Sequence, residues 1–150
     1  MHAEAQAVLE QFERVHHEIF KWAEGLTDEQ LNWKPPAKDG NSIGNLMSHI
    51  MGAELASVVE RVGGQTVHRD RSAEFANPVT RDWLLQRRSE VEKQVRDTLG
   101  KLSPSDFERK VTAPGGGETP VRNFLTYLVS HLSGHMGQVI LTRKLLDAQQ

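Results

Sequence analysis

The sequence predicts an all-α protein built as a four-helix bundle. Four long segments carry apolar residues at alternating steps of three and four, the spacing of a helix that buries one face. Between these segments the chain shows none of the apolar-polar alternation that marks a half-buried strand. Because each helix has one apolar face to bury, packing the four against one another is the architecture that the pattern favours.

Length and composition favour one ordinary domain over residues 1–150. A chain of 150 residues can bury a sizeable core without disulfides. The net charge of −2, with no block of like charge, gives no sign of a nucleic-acid partner. The absence of cysteine excludes a catalytic thiol and thiolate metal ligands. No leader-like start and no apolar stretch of about 18 residues occur, so we expect a cytoplasmic protein without a membrane partner.

The first predicted helix carries an apolar stripe that ends near Gly25. The stripe consists of Val8, Phe12, Val15, Ile19, Trp22 and Leu26. His16 lies beside this stripe, where it is either a partly buried structural histidine or a residue near a pocket. A connector follows in which Thr27 and Gln30 can form a capping box and Pro35-Pro36 forbids a helix.

The second predicted helix starts from an N-cap at Asn41 or Ser42 and stops at Gly63-Gly64. His49 lies at the edge of its apolar face, where small alanines leave room for another imidazole or a ligand. Glu54 lies near the same apolar side. It could be a base, an added metal ligand or a carboxylate paired with a lysine or arginine.

The middle of the chain predicts one more helix between two loops. Residues 65–79 are polar and irregular, and at this length such a segment can carry a function. The third predicted helix runs from about Thr80 to Gly100. The loop Ala113–Gly117 contains three consecutive glycines but no following Gly-Lys-Ser or Gly-Lys-Thr. We therefore expect this loop to pass over the mouth of a site rather than to bind phosphate.

The fourth predicted helix starts with Thr119 as N-cap and Pro120 at its first position. At about 100° per residue, His131 and His135 fall on its inward face. Two imidazoles four residues apart can chelate one ion, and His49 from another helix would complete a three-histidine site with open positions. The alternative is that both are core histidines satisfied by water. An unsatisfied buried polar group costs about 1–3 kcal/mol, and one divalent ion would satisfy two ring nitrogens together, which favours the metal site.

Three motifs resemble the DinB-like superfamily of damage-inducible and YfiT-like metalloenzymes. They are Leu31-Asn32-Trp33-Lys34-Pro35, the run from Ser42 to His49, and His131-x-x-x-His135-Met136-Gly137-Gln138. The resemblance implies a four-helix bundle in an up-down-down-up arrangement, with a long crossover between the second and third helices. It also implies that His49, His131 and His135 are the metal ligands.

The resemblance implies a divalent metal ion as cofactor, zinc or nickel first and iron or manganese as further candidates. Characterised relatives include S-transferases and isomerases that use low-molecular-weight thiols such as bacillithiol or mycothiol. In such an enzyme the ion would lower the pKa of the substrate thiol for attack on an electrophile. A metal-dependent hydrolase is a second hypothesis for an enzyme. The alternative is a non-catalytic, metal-binding or stress-related bundle that acts through a partner.

A few further residues are candidates at or near this site. Gln138, one turn from His135, could hydrogen-bond a ligand or a metal-bound water, and Tyr127 could donate to an anionic intermediate. An acidic thiol could meet arginines of the third helix, although these also fit a solvated face: Arg81, Arg87 and Arg88. Relatives often form homodimers, for which three aromatic residues could serve as anchors: Trp22, Phe75 and Trp83.

Overall fold

The computed structural model describes residues 1–150, and most of the chain is helical. Helices α1 to α6 span Ala3–Ala23, Asp28–Leu31, Ile43–Glu54, Arg71–Ala76, Arg81–Lys101 and Val121–Asp147. A π-helical segment, Leu55–Val62, continues α3, and a 3-10 turn forms at Pro104–Phe107. Strands β1 (Lys110–Thr112) and β2 (Glu118–Pro120) form a small antiparallel hairpin. The predicted all-α bundle is confirmed, with this hairpin as its one β element.

The first and last long helices, α1 and α6, run parallel. Near their N-terminal ends Glu4 pairs with Arg122, with an Oε1 to Nε distance of 2.9 Å. Near their C-terminal ends Nη1 of Arg143 donates to the carbonyl oxygen of Trp22 at 2.7 Å. Contacts at both ends fix the relative direction of the two helices.

The other two long helices run in the opposite direction. The α5 helix is antiparallel to α1, since Arg96 pairs with Glu13 while the earlier Arg88 lies over the ring of Phe20. The α3 helix is antiparallel to α6, because His49 meets His135 whereas the later Arg61 lies over Phe124.

The resulting order along the chain is up-down-down-up, as the resemblance implied. Residues 63–80 form the crossover that connects the two helices running in the same direction. Arg61 therefore lies near the start of α6, over the Phe124 ring. The crossover passes beside the middle of α3, where Glu74 meets His49.

Side-chain caps define where several helices begin, and those at Ser42 and Thr27 were predicted from the sequence. Ser42 Oγ accepts from the Asn45 amide at the start of α3. Thr80 Oγ1 does the same for Trp83 at the start of α5. The predicted capping box of Thr27 is present as well. Each cap satisfies an amide that the first turn leaves without a partner.

One predicted loop and two predicted helix ends differ from the structure. The crossover is not wholly irregular, because Asp70 caps the short helix α4. The α5 helix does not end at Gly100 but continues to Lys101. Thr119 and Pro120 belong to β2, so Pro120 is extended, with φ −59° and ψ 146°, and the last helix begins at Val121. The pairing of β2 with β1 holds the two residues outside the helix.

The core contains a buried ionic cluster as well as apolar side chains. His16 is fully buried, and its Nε2 and Nδ1 atoms lie 2.7 Å from Glu54 Oε2 and 3.1 Å from Glu92 Oε1. Burial lowers the pKa of His16, but the adjoining Glu54 and Glu92 outweigh it and raise the pKa to about 9. Arg88 closes the cluster through a 2.6 Å bond to Glu92. His16 is thus a structural cation inside the bundle.

The fold contains no helix that combines the length and the apolar character of a transmembrane span.

Candidate metal centre

Helices α3 and α6 bring the three predicted histidines together. His49 comes from α3, while His131 and His135 lie one turn apart on α6. One potential ligand atom of each lies within 4.8 Å of those of the other two. Ring centroids are 4.6 Å apart for His49 and His135 and 6.0 Å apart for His49 and His131. The three imidazoles therefore surround one point between the helices.

This donor set fits a divalent metal ion. Imidazole nitrogen is a ligand for zinc and nickel, and three such ligands leave positions open for water or substrate. A tetrahedral ion about 2.0–2.1 Å from each nitrogen would place the nitrogens about 3.4 Å apart. The nitrogens all lie within 4.8 Å of one another, so rotation of the rings would have to bring the more distant ones closer for all three to bind one ion.

The His49 ring is oriented by a carboxylate from the crossover. Glu74 of α4 is buried, and its Oε1 lies 3.1 Å from His49 Nδ1. When this nitrogen carries the proton and donates, Nε2 is the atom left to bind an ion. Arg69 holds Glu74 through two bonds, Nε to Oε2 at 2.8 Å and Nη2 to Oε1 at 2.7 Å. Burial raises the pKa of Glu74, but the bonds from Arg69 and His49 lower it overall, so it is ionised.

Gly52 makes the room in which Glu74 approaches α3. It lies one turn after His49, and a Cβ at this position would lie 2.7 Å from Cδ of Glu74. Any larger residue would overlap the carboxylate, so the missing side chain is a requirement of the contact between His49 and Glu74.

The two histidines of α6 have different neighbours. His135 Nδ1 lies 2.8 Å from Gln138 Oε1, which can accept a hydrogen bond from Nδ1–H and leave Nε2 for an ion. His131 instead stacks against the ring of Tyr127, with centroids 5.9 Å apart and an interplanar angle of 22°. Burial lowers the pKa of both histidines. Lower values favour the neutral imidazole that ligation requires.

A cleft of about 450 Å³ opens beside the three histidines. Small residues of α3 and the following segment, Ala53, Ala56 and Ser57, form one wall. Pro114 reaches the cleft from the glycine-rich loop, as predicted for a loop at the mouth. The lining also contains Asn41, Tyr127 and Gln138 and three arginines: Arg61, Arg69 and Arg71. No aspartate or glutamate belongs to it.

Several predicted candidates lie elsewhere. Glu54 neither faces the cleft nor pairs with a lysine or arginine, because it is bound to His16 in the core. The arginines considered from α5 are also absent from the cleft: Arg81, Arg87 and Arg88. Of the aromatic residues considered as dimer anchors, Phe75 packs on the His49 ring at 4.7 Å. Trp22 is half-buried and Trp83 is 42% exposed.

Five residues of the crossover and its surroundings were not predicted from the sequence. Glu74 and Arg69 orient His49, Gly52 makes room for them, and Arg61 and Arg71 line the cleft. Asp70 three residues before Ala73 is a capping pattern that could have predicted α4. No local pattern could have shown that Glu74 reaches His49, 25 residues away.

The family comparison agrees with the resemblance. A model of the DinB superfamily matches residues 11–139. The chain belongs to the DinB superfamily. The matched span includes all three histidines as well as Gly52, Glu74 and Gln138, so the candidate site lies within the part of the chain that defines the family.

Solved structures show the same DinB fold at low sequence identity. A DinB-like protein from Bacillus cereus is 18% identical with a TM-score of 0.74, covering 93% of this chain and 91% of that one. A conserved protein from Enterococcus faecalis is 15% identical with a TM-score of 0.73, covering 95% and 96%. YfiT from Bacillus subtilis, described as "a probable metal-dependent hydrolase with an unusual four-helix bundle topology", is 18% identical with a TM-score of 0.71, covering 95% and 87%. No curated protein matches the sequence.

Proposed function

We propose that this protein is a metal-dependent enzyme that transfers a small thiol to an electrophile. In this proposal His49, His131 and His135 hold one divalent ion, with zinc or nickel as the first candidates. The observation that carries it is the three-histidine cluster at the wall of an open cleft. A purely structural ion would be enclosed, whereas a cleft of about 450 Å³ has room for a substrate.

The lining of the cleft supports a thiol, rather than water, as the nucleophile. A bound divalent ion lowers the pKa of a thiol or a water and so supplies a nucleophile at neutral pH. Activation of water commonly uses a carboxylate as general base, and none lines this cleft. A thiol is acidic enough to need no such base. Since the chain has no cysteine, the thiol comes with the substrate.

The protein's own residues hold the ion and the substrate in place. Glu74 orients the His49 ring and Gln138 orients the His135 ring, so that Nε2 of each ring would be free to bind the ion. The phenol of Tyr127, half-exposed beside His131, is a hydrogen-bond donor for charge that develops on the electrophile. The side-chain amide N–H of Gln138 is a second donor, because only the amide oxygen is bonded to His135.

A substrate panel tests this proposal. Untagged, zinc-loaded protein is assayed with bacillithiol, mycothiol and glutathione against alkyl halide and epoxide electrophiles, and without thiol against esters and amides. We expect thiol-dependent turnover that chelation abolishes and zinc restores. His135→Ala should lack this activity, whereas His17→Ala, an exposed histidine of α1 outside the cleft, should keep it.

Two outcomes would overturn the proposal. Hydrolysis of esters or amides without thiol would indicate a hydrolase, the activity that the description of YfiT suggests. Absence of either activity in protein with one ion bound per chain would favour the non-catalytic alternative, a metal-binding bundle that acts through a partner.

A further inference from the structure

The charged side chains that line the cleft are all positive. Its lining contains three arginines and no carboxylate. Arg69 is neutralised by its two bonds to Glu74. Arg61 and Arg71, in contrast, form no ion pair and are exposed to solvent within the cleft. Two uncompensated guanidinium groups therefore face the space next to the histidines.

Both guanidinium groups are held against aromatic rings. The Cζ atom of Arg61 lies 5.3 Å from the centroid of the Phe124 ring, and that of Arg71 lies 5.2 Å from the centroid of Phe75. Phe75 in turn packs on the His49 ring at 4.7 Å. Stacking on a ring leaves the edge of the guanidinium free to donate hydrogen bonds. It also restricts the arginine side chain, so less conformational entropy is lost when a ligand binds.

We propose that the cleft selects a substrate with an anionic oxyacid group, a carboxylate or a phosphate, which Arg61 and Arg71 bind. This inference rests on the proposed function, because it assigns a substrate class to the same site. Guanidinium forks bind carboxylate and phosphate with two parallel hydrogen bonds. With no acidic residue in the lining, nothing competes with the substrate for these donors. The reacting group would then lie at the histidines.

Titration with small anions tests the subsite without relying on activity. Metal-free and zinc-loaded protein are titrated with succinate, glycerol phosphate and the uncharged succinamide, and the arginine Nε–H resonances are followed by NMR. We expect succinate or glycerol phosphate, but not succinamide, to shift the resonances of Arg61 and Arg71 in both forms of the protein. Comparing the two anions shows which oxyacid the subsite prefers.

Charge-removing variants connect the binding to these residues. In Arg61→Gln and Arg71→Gln the dissociation constant of the preferred anion should rise about tenfold or more. Arg61→Lys should lose less, because it retains the charge but not the fork. Arg14→Gln is the matched control, since it removes the same charge from an exposed arginine of α1 that bonds only Gln11, and its affinity should be unchanged.

The outcomes separate this inference from the proposed function. Equal affinity for anion in wild type, Arg61→Gln and Arg71→Gln, or equal affinity for succinamide, overturns the anion subsite even if zinc binds. Failure of zinc to bind, with anion binding that depends on Arg61 or Arg71, supports the subsite and contradicts the proposed function. Zinc affinity should be the same in all three arginine-to-glutamine variants.

Discussion

Glu74 accepts a hydrogen bond from His49 across the gap between the crossover and α3, with Oε1 3.1 Å from Nδ1. This contact links the segment of least regular sequence to the candidate metal centre. Arg69 Nη2 lies farther from the same nitrogen, at 3.4 Å, so the carboxylate favours the tautomer with the proton on Nδ1 and sets the direction of the ring. The crossover is therefore part of the site and not only a connection between two helices.

Replacing Glu74 by glutamine should weaken metal binding without abolishing it. The variant keeps the shape of the side chain but loses the negative charge that supports the imidazole, and loss of such a partner typically costs 10–100-fold in metal affinity. Competition with a chelating dye measures this change. Glu60→Gln, at an exposed position of the π-helical segment, is the control and should bind metal like the wild type. Equal affinity in Glu74→Gln and Glu60→Gln would show that Glu74 does not support the site.

Replacing Gly52 by alanine should affect the metal centre through Glu74. The added Cβ would overlap the carboxylate and push it away from His49. We expect a loss of metal affinity similar to that of Glu74→Gln, and little further loss when both changes are combined, because they remove the same contact.

Gly134→Ala is the matched control, since it lies on α6 between the two histidines and a Cβ there would meet nothing within 4 Å. Alanine also favours a helix over glycine by about 1 kcal/mol. The control should therefore be at least as stable as the wild type and bind metal equally well. Additive losses in the double variant would argue against a shared contact.

Because of the buried His16, the free energy of unfolding should decrease as the pH rises above neutral. Its pKa is raised to about 9 in the folded protein, above the ordinary value of about 6.5. A raised pKa means that the folded state binds the proton more tightly, so the stabilisation is complete below pH 6.5 and is lost as pH rises through 9. The free energy of unfolding should decline over this interval by up to about 3 kcal/mol.

Urea unfolding at several pH values, with metal-free protein throughout, measures this decline. In His16→Leu the group that titrates is gone, so the decline attributable to it should disappear. The variant should also be less stable by about 3–5 kcal/mol at neutral pH, because Glu54 is left buried without its partner. A wild-type profile that is flat from pH 6.5 to 9 would show that His16 is not charged in the folded state.

Residues with a local signature were predicted well from the sequence. Ser42 and Thr27 cap helices as predicted, since a cap depends only on neighbours in the chain. His131 and His135 share a face because their spacing matches a helical turn. His49 was predicted on a second helix, and the resemblance then supplied the arrangement that brings it to the other two.

Residues whose roles depend on tertiary contacts could not be predicted. Glu54 lies near the apolar side of its helix, but only the packing of α1 shows that it meets His16 and not the metal centre. Glu74 and Gly52 gain their roles from a crossover whose path no periodicity fixes. Pro120 carried a strong helix-start signal, and pairing with β1 moved the start by one residue.

Calorimetric titration of zinc into untagged, metal-free protein tests the central claim most directly. The three-histidine centre predicts one ion bound per chain and a loss of tight binding in His131→Ala, while His17→Ala binds like the wild type. Unchanged zinc affinity in His131→Ala, or no binding by the wild type, would contradict the metal centre and with it the proposed thiol chemistry.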